Sequence, residues 1–131
     1  MKTLKVVISL MLFVICFMIL SCECGTTYLK YVENNSTATI EIEIISFDGT
    51  IQKSTVAPGK TTEIYVDDQL GSFPGENYRC TLEFHTVMVT VSDNLTLKKE
   101  IMNADNWFMT SKTGRNSIIK CYFSIRDEDL E

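Results

Sequence analysis

The residues of this 131-residue chain that could support nucleophilic catalysis are two cysteines and its only histidine. A catalytic thiol needs a base within hydrogen-bonding reach and some exposure to solvent. Cys80 and His85 are five positions apart on a predicted strand, so they point to opposite faces unless a bulge intervenes. We therefore expect Cys80 and Cys121 to be buried or bridged, and we predict no catalytic residue. A small hydrolase is the least favoured function.

Carboxylates are the other group with potential chemistry, because they bind cations. The acids include an Asp67-Asp68 pair and a terminal run over 127–131, but the spaced Asp-x-Asp-x-Asp-Gly pattern of a calcium loop is absent. Zinc needs about four ligands, usually cysteine and histidine, which one histidine and scattered cysteines do not supply. We predict no metal and no cofactor, and we interpret the terminal acids as a solvated tail.

Trp107 and Phe108 form the feature most suggestive of binding. Trp107 is the only tryptophan, and both residues fall in a predicted loop over 101–116. Aromatic side chains on an exposed loop can stack on sugars or anchor a protein partner. The alternative, which we favour, is that they fold over one end of a β-sandwich and close its core.

The N-terminal segment indicates the compartment of the protein. Lys2 and Lys5 precede an almost wholly apolar run from Val6 to Leu20. This layout is typical of a secretory signal, and the run is slightly short of the roughly 18–20 residues of a membrane-spanning helix. Residues 1–21 are therefore predicted to be a signal peptide.

The end of this segment, Ile19-Leu20-Ser21-Cys22, resembles the lipobox of bacterial lipoproteins. The resemblance implies cleavage before Cys22 and attachment of a diacylglycerol to its sulfur. Residues 22–27 would form a tether, and a domain over 28–131 would be held at the bacterial cell envelope, with the outer membrane expected. The alternatives are ordinary signal cleavage, which releases a soluble secreted domain, and an uncleaved signal anchor.

The cysteines that remain bear on the redox state of the exported domain. Cys24, Cys80 and Cys121 are left, an odd number. Export favours oxidation, and a Cys80–Cys121 bridge would close a loop of about 41 residues, worth roughly 4 kcal/mol in the loop-entropy model. We identify this pair as a possible disulfide, with two buried thiols as the alternative. Cys24 is expected to be free in the tether.

The charge of the exported part limits its partners. Lys2 and Lys5 lie in the signal, which leaves ten basic and 17 acidic residues and a formal charge of −7. Without a basic patch the domain does not neutralise phosphate backbones, so we predict no nucleic-acid binding. Anionic lipid head groups would repel it as well. The expected partners are the membrane, through the N-terminal lipid, and an unidentified protein or glycan.

Alternating polar and apolar residues predict a β-rich domain. The alternation is strict over 39–47, Asp48-Gly49 predicts a hairpin, and Pro58-Gly59 predicts a type II turn. The other predicted strands cover 28–32, 51–56, 61–66, 79–84, 87–91, 95–99 and 118–125. This pattern indicates one all-β domain, an immunoglobulin-like β-sandwich of about seven or eight strands, with a small β-barrel as the alternative.

The alternation of apolar and polar residues shifts by one position partway along the chain. Apolar residues are even-numbered over 80–84 and odd-numbered over 87–91. A continuous strand cannot contain both sets, because a slip of one residue moves every side chain to the other face. We therefore predict a bulge or a break at His85-Thr86.

Several of these motifs together resemble the small lipoproteins of unknown role found in gut Bacteroidales. They are the Val-x-Val-x-Val strand with its Asp-Asn turn over 87–97, Asp105-Asn106-Trp107, and the strand over 120–125 that leads into Asp127-Glu128-Asp129-Leu130. No activity is known for that family. The resemblance implies an envelope location and a β-fold, and it supplies no active site.

Three N-glycosylation sequons support an alternative function, that of a secreted glycosylated domain. Asn34, Asn35 and Asn94 each begin an Asn-x-Ser/Thr sequence. In a eukaryotic secretory protein these would be glycan sites, whereas in a bacterial lipoprotein they are turn and surface residues. The function predicted first is a lipid-anchored envelope lipoprotein that acts as a binding or accessory module without catalysis. The alternative is a soluble secreted, glycosylated β-domain.

Overall fold

A computed structural model describes residues 24–71 and 77–131. The strands in these ranges are β1 (Gly25–Asn35), β2 (Ile40–Ser46), β3 (Ile51–Val56), β4 (Lys60–Leu70), β5 (Phe84–Val91), β6 (Phe108–Lys112) and β7 (Asn116–Arg126). Three short 3₁₀ turns cover Ser92–Asn94, Ala104–Asn106 and Asp127–Asp129. The predicted signal over 1–21 and the lipidation residue Cys22 lie outside the described residues.

The strands form two sheets that pack against each other. The first sheet has the order β4-β1-β7-β6, and the second has the order β3-β2-β5. Neighbouring strands are antiparallel except β1 and β7, which run parallel from the pair Gly25–Asn116 to the pair Asn35–Arg126. The described part of the chain is therefore an all-β sandwich of seven strands and not a closed barrel, which confirms the predicted fold class.

The core lies between the two sheets. Along β1, β2 and β7, buried residues alternate with more exposed ones, because successive side chains of a strand point to opposite faces. Val32 and Phe123 enter the core from the first sheet, and Ile40, Ile42 and Ile44 enter it from the second. Burial of each such side chain stabilises the fold by roughly 1.5–3 kcal/mol relative to exposure.

β5 begins with the bulge that the change of apolar phase predicts. Its pairing with β2 shifts from Thr86–Ile45 to Phe84–Ser46, which leaves His85 as the extra residue. Phe84 is buried in the core, whereas His85 is exposed. The bulge is thus confirmed, and it places Phe84 on the same face of the sheet as the odd-numbered Val87 and Val89.

Several predicted segments are wrong. Residues 79–84, predicted as a strand, are mainly successive turns, and residues 95–99 contribute only an isolated bridge between Leu97 and Leu130. The predicted loop 101–116 contains the edge strand β6, and β1 begins at Gly25, inside the predicted tether. Long-range pairing explains the last two differences, because β6 pairs with β7 and the start of β1 pairs with both β4 and β7.

Candidate ligand-binding site

The two cysteines considered for catalysis are joined to each other. Cys80 and Cys121 form a disulfide with their Cα atoms 5.9 Å apart, and both residues are buried. His85 lies exposed at the bulge of β5, with its ring centroid 5.4 Å from that of Phe47. A thiol mechanism built on these residues therefore lacks its nucleophile. Cys24 is free and exposed.

The acids at the C-terminus have structural partners. The Asp127 carboxylate accepts hydrogen bonds from the backbone N–H and the hydroxyl of Thr37, at 2.7 and 2.9 Å. Asp129 accepts one from the backbone N–H of Arg126 at 2.9 Å. These contacts fasten the end of β7 to the turn between β1 and β2, so the terminal acids are not simply a solvated tail. In the ranges that the structure describes, no group of three or more His, Cys, Asp or Glu could hold a metal ion.

Trp107 closes the core instead of facing solvent. Its side chain is buried, and its Nε1–H donates a 2.7 Å hydrogen bond to the backbone carbonyl of Ile101. Its ring packs against Phe84 and Phe123, with centroids 6.1 and 5.3 Å away. This burial agrees with the interpretation that we favoured for Trp107, but the same interpretation is wrong for Phe108, which is exposed.

Phe108 has the opposite environment, because the next residue of a strand points to the other face. It is 67% exposed and is paired with Tyr122 across β6 and β7. Tyr122 is paired in turn with Tyr31 on β1, and the two rings stack with centroids 5.2 Å apart and planes inclined by 17°. Tyr31, Tyr122 and Phe108 thus form an aromatic row across the outer face of the first sheet.

A residue of β4 holds the Tyr31 end of the aromatic row in place. The Tyr31 hydroxyl donates a 3.3 Å hydrogen bond to Oε2 of Glu63, its partner residue in the sheet. Partial burial and the nearby Glu63 carboxylate raise the pKa of Tyr31. The phenol therefore stays protonated at physiological pH and continues to donate this bond.

A cleft of about 800 Å³ lies beside the aromatic row. Tyr122 and Phe108 line it together with Trp107. The remaining lining consists of two carboxylates, two amides, two cationic side chains and one hydroxyl, contributed by Glu33, Asp105, Asn35, Asn106, Lys99, Arg126 and Ser124. The cleft is open to solvent, its formal charges balance, and its groups include both hydrogen-bond donors and acceptors.

Hydrogen bonds hold several of these polar side chains in place. Asn35 Nδ2 donates to the Ser124 hydroxyl at 3.1 Å, and Asn106 Nδ2 donates to the Glu100 carbonyl at 2.8 Å. Lys99 Nζ donates to the Ser124 carbonyl at 2.8 Å. Within the described ranges, the amide oxygen of Asn35 has no hydrogen-bond donor, so it remains available to a ligand.

A second polar group, missed by the sequence reasoning, lies inside the core. Lys30 of β1 is fully buried and forms an ion pair with Glu83. The rings of Phe84, Tyr65 and Tyr78 lie 4.5, 5.1 and 5.9 Å from its Nζ. The signal was present in the alternation, because Lys30 occupies the same phase as the buried apolar residues of β1.

The Lys30 cluster, defined as these five residues, has its polar groups paired. The Tyr78 hydroxyl donates a 2.9 Å hydrogen bond to Oε1 of Glu83. Burial lowers the pKa of Lys30 against the opposing effect of Glu83, and burial together with Glu83 raises the pKa of Tyr78 well above its ordinary value. No buried side-chain nitrogen or oxygen in the described part of the chain lacks a hydrogen-bond partner. We therefore assign the cluster a structural role.

One of the three sequon asparagines is a core residue. Asn34 Nδ2 donates to the carbonyls of Ala38 and Val56 at 2.8 and 2.9 Å, and its Oδ1 accepts from Ser36. Asn34 is fully buried, whereas Asn35 and Asn94 are exposed. Asn34 therefore organises the turn after β1 and is inaccessible to glycan attachment in the folded domain.

No helix within residues 24–71 and 77–131 is both long and apolar enough to cross a membrane. No protein-family model matches the chain, and no curated protein or solved structure matches it either.

Proposed function

We propose that this protein is a lipid-anchored envelope lipoprotein whose β-sandwich is a binding module without catalysis. The observation that carries the binding role is the aromatic row with the polar cleft beside it. A concave site that combines aromatic walls with a few convergent polar groups is the usual form of a ligand pocket. Phe108, exposed at the edge of this site, is the side chain on which the proposal depends most.

The support for the anchor is the lipobox-like motif Ile19-Leu20-Ser21-Cys22 at the end of the signal. A lipid contributes about 0.8 kcal/mol per buried CH₂, so two or more acyl chains make attachment firm. An acidic domain has no comparable attraction for anionic lipid head groups. Membrane attachment through Cys22 is therefore consistent with the charge of the rest of the chain.

The direction of β1 is favourable for a surface-anchored binding module. The strand starts at Gly25, three residues after Cys22, and ends at Asn35, which lines the cleft. Ten residue steps at about 3.3 Å each correspond to roughly 33 Å. An anchor at Cys22 would thus leave the cleft at the end of the sandwich that faces away from the membrane.

Metabolic labelling with palmitate tests the anchor. We expect the wild-type chain to incorporate palmitate and the Cys22→Ala variant to lose the label, because the lipid is attached to this sulfur. Cys24→Ala is the matched control, since it removes a cysteine two residues away and should retain the label. Labelling that persists in Cys22→Ala would show that the lipid is not attached to Cys22.

Site-specific photo-cross-linking in intact cells tests the binding role. A photoreactive residue at position 108 should form adducts with envelope components. The same residue at position 47 is the control, because Phe47 is 72% exposed and is not among the residues that line the cleft. Failure to form adducts from position 108, or equal adducts from both positions, would contradict a binding site at the cleft.

A further inference from the structure

We propose that the ligand of the cleft is a neutral glycan, bound with a sugar ring against the aromatic row. This inference rests on the proposed binding function and specifies its ligand. It is carried by three properties of the cleft: the aromatic surface, the mixture of polar groups, and the balance of charge.

The aromatic surface suits the apolar face of a pyranose. The C–H groups on that face carry a slight positive charge, and the face of an aromatic ring is negative. Tyr31 covers one side of Tyr122, and the cleft is lined by Tyr122 and Phe108 but not by Tyr31. Tyr122 and Phe108 are therefore the rings available for stacking, on two adjacent strands.

The polar lining suits hydroxyl groups, each of which donates and accepts hydrogen bonds. Glu33 and the amide oxygen of Asn35 are acceptors, and no donor from the described residues occupies them. The Ser124 hydroxyl of β7 accepts a hydrogen bond from Asn35 and can donate one to a ligand. A lipid tail would leave these groups without hydrogen bonds, at a cost that a sugar avoids.

The charges of the cleft argue for a neutral ligand. Lys99 is engaged by the Ser124 carbonyl and the ring of Phe123. Arg126 and Asp105 each make an exposed ion pair, with Glu128 at 3.4 Å and with Arg79 at 3.9 Å. Glu33 has no cationic partner among the described residues and would repel a uronic acid or a sulfate. The −7 charge of the exported part adds to this repulsion at low ionic strength.

The shape of the cleft argues for a segment of a chain. Its volume of about 800 Å³ falls within the range of small-molecule sites, and it is open to solvent and not an enclosed cavity. An open cleft can bind one segment of a polysaccharide while the rest of the chain stays in solvent. We therefore expect oligosaccharides to bind more tightly than the corresponding monosaccharide.

Calorimetric titration of the full chain, purified in detergent, tests the proposal. The probes are the neutral polysaccharides β-glucan, galactomannan, arabinoxylan and pullulan, with polygalacturonate as the acidic comparison. We expect binding to at least one neutral polysaccharide and none to polygalacturonate. Phe108→Ala should weaken that binding about tenfold, which corresponds to about 1.4 kcal/mol, because it removes one of the two rings available for stacking.

Two further variants separate stacking from misfolding. Phe47→Ala removes an equally exposed phenylalanine outside the cleft and should bind like the wild type. Glu33→Gln keeps the shape of the side chain and should weaken binding, because the amide accepts hydrogen bonds less strongly than a carboxylate. Thermal melting of each variant checks that the fold is intact.

The outcomes distinguish this inference from the function on which it rests. Absence of binding to all four neutral polysaccharides, preference for polygalacturonate, or unchanged binding by Phe108→Ala would overturn the glycan assignment. If position 108 nevertheless forms specific cross-links to an envelope protein, the binding role stands with a protein as its ligand. If neither polysaccharide binding nor cross-linking occurs, the glycan assignment and the binding role both fail.

Discussion

Lys30 illustrates how a single charged residue is accommodated in the core of a β-sandwich. Transfer of its ammonium group out of water costs several kcal/mol, and the Glu83 carboxylate with three aromatic rings offsets that cost. A buried ion pair adds little net stability compared with apolar residues of the same size. Removal of one partner is expensive, because it leaves the other charge buried and unpaired.

We therefore expect Glu83→Gln to lower the free energy of unfolding by about 3–5 kcal/mol at neutral pH. The double variant Lys30→Met/Glu83→Gln should regain most of this loss, since the buried charge is then absent. Urea denaturation measures both values.

The control for this pair is Glu43→Gln, which breaks the ion pair with Lys53 on the protein surface. The exposed lysine remains solvated after that substitution, so the urea midpoint should change little. If Glu83→Gln lowers the free energy of unfolding no more than Glu43→Gln does, an unpaired Lys30 carries no large cost in the core and the prediction is wrong.

The environment of Tyr78 should make the stability of the fold decrease at alkaline pH. An unfolded tyrosine ionises near pH 10, while burial and Glu83 hold the pKa of Tyr78 above that value in the fold. Above about pH 10 the unfolded state therefore binds fewer protons than the folded state, and stability falls as the pH rises. Tyr78→Phe cannot ionise in either state, so it should lose less stability than the wild type between pH 9 and pH 11.

Urea midpoints of the two proteins at both pH values test this expectation. The lowered pKa of Lys30 acts in the opposite direction, because the unfolded lysine binds the extra proton and stability rises as the pH approaches about 10.5. That contribution is common to both proteins and cancels in the comparison. Equal alkaline losses would mean that Tyr78 ionises in the fold as it does in the unfolded chain.

At the level of elements, the disulfide links β7 to the turns that lead into β5. Cys121 lies on β7 in the first sheet. Cys80 lies four residues before β5, which is an edge strand of the second sheet. The bond closes a loop with a sequence separation of 41 residues. It therefore connects the two layers beside the Lys30 cluster, because Cys121 is paired with Lys30 across β7 and β1.

The variant Cys80→Ala/Cys121→Ala should lower the free energy of unfolding by about 4 kcal/mol, the value for a loop of this length. Cys24→Ala, which removes a free and exposed thiol, is the control and should leave stability unchanged. Chemical denaturation of both variants provides the measurement. A double variant as stable as Cys24→Ala would contradict the bridge.

The short edge strand β6 is the element that creates the cleft. The 3₁₀ turn before it is fastened by Asn103, whose side chain accepts a 3.0 Å hydrogen bond from the backbone N–H of Asp105. Trp107 then anchors the chain in the core, and Phe108 emerges on the outer face one residue later. The turn, the anchor and the strand together place Phe108 beside Tyr122.

At the level of the whole molecule, the parallel strands β1 and β7 both start at one end of the sandwich and both finish at the other. Gly25 and Asn116 lie at the end nearest the proposed anchor, and Asn35 and Arg126 lie at the end with the cleft. One end can thus be tethered while the other remains accessible. This polarity is the feature of the fold that best fits a surface-bound binding module.

The mass of the mature protein distinguishes an anchored from a secreted molecule. We expect a chain that begins at Cys22 and carries the mass of acyl groups, without glycan. Denaturing intact-mass spectrometry of the protein from its native membrane fraction measures this. A chain that begins after Cys22 and carries glycan at the exposed residues Asn35 or Asn94 would instead support the secreted alternative.

The sequence by itself determined the fold class and the bulge at His85. Both follow from period-two alternation, which is a local property of the chain. It also indicated the disulfide pair, because export favours oxidation, and it favoured a Trp107 that closes the core. Alternation does not show whether a polar residue on the core-facing side of a strand has a hydrogen-bonding or charged partner. The ion pair of Lys30 with Glu83 was therefore not predicted.

Only the tertiary structure decided the candidate site. Tyr31, Phe108 and Tyr122 become neighbours because β1 and β6 both pair with β7, and nothing local in the sequence specifies that strand order. Trp107 and Phe108 were treated together as one loop, but the strand that begins at Phe108 sends adjacent side chains to opposite faces. Long-range hydrogen bonding between strands, and not the residue pattern within any one of them, therefore forms the aromatic row and the cleft.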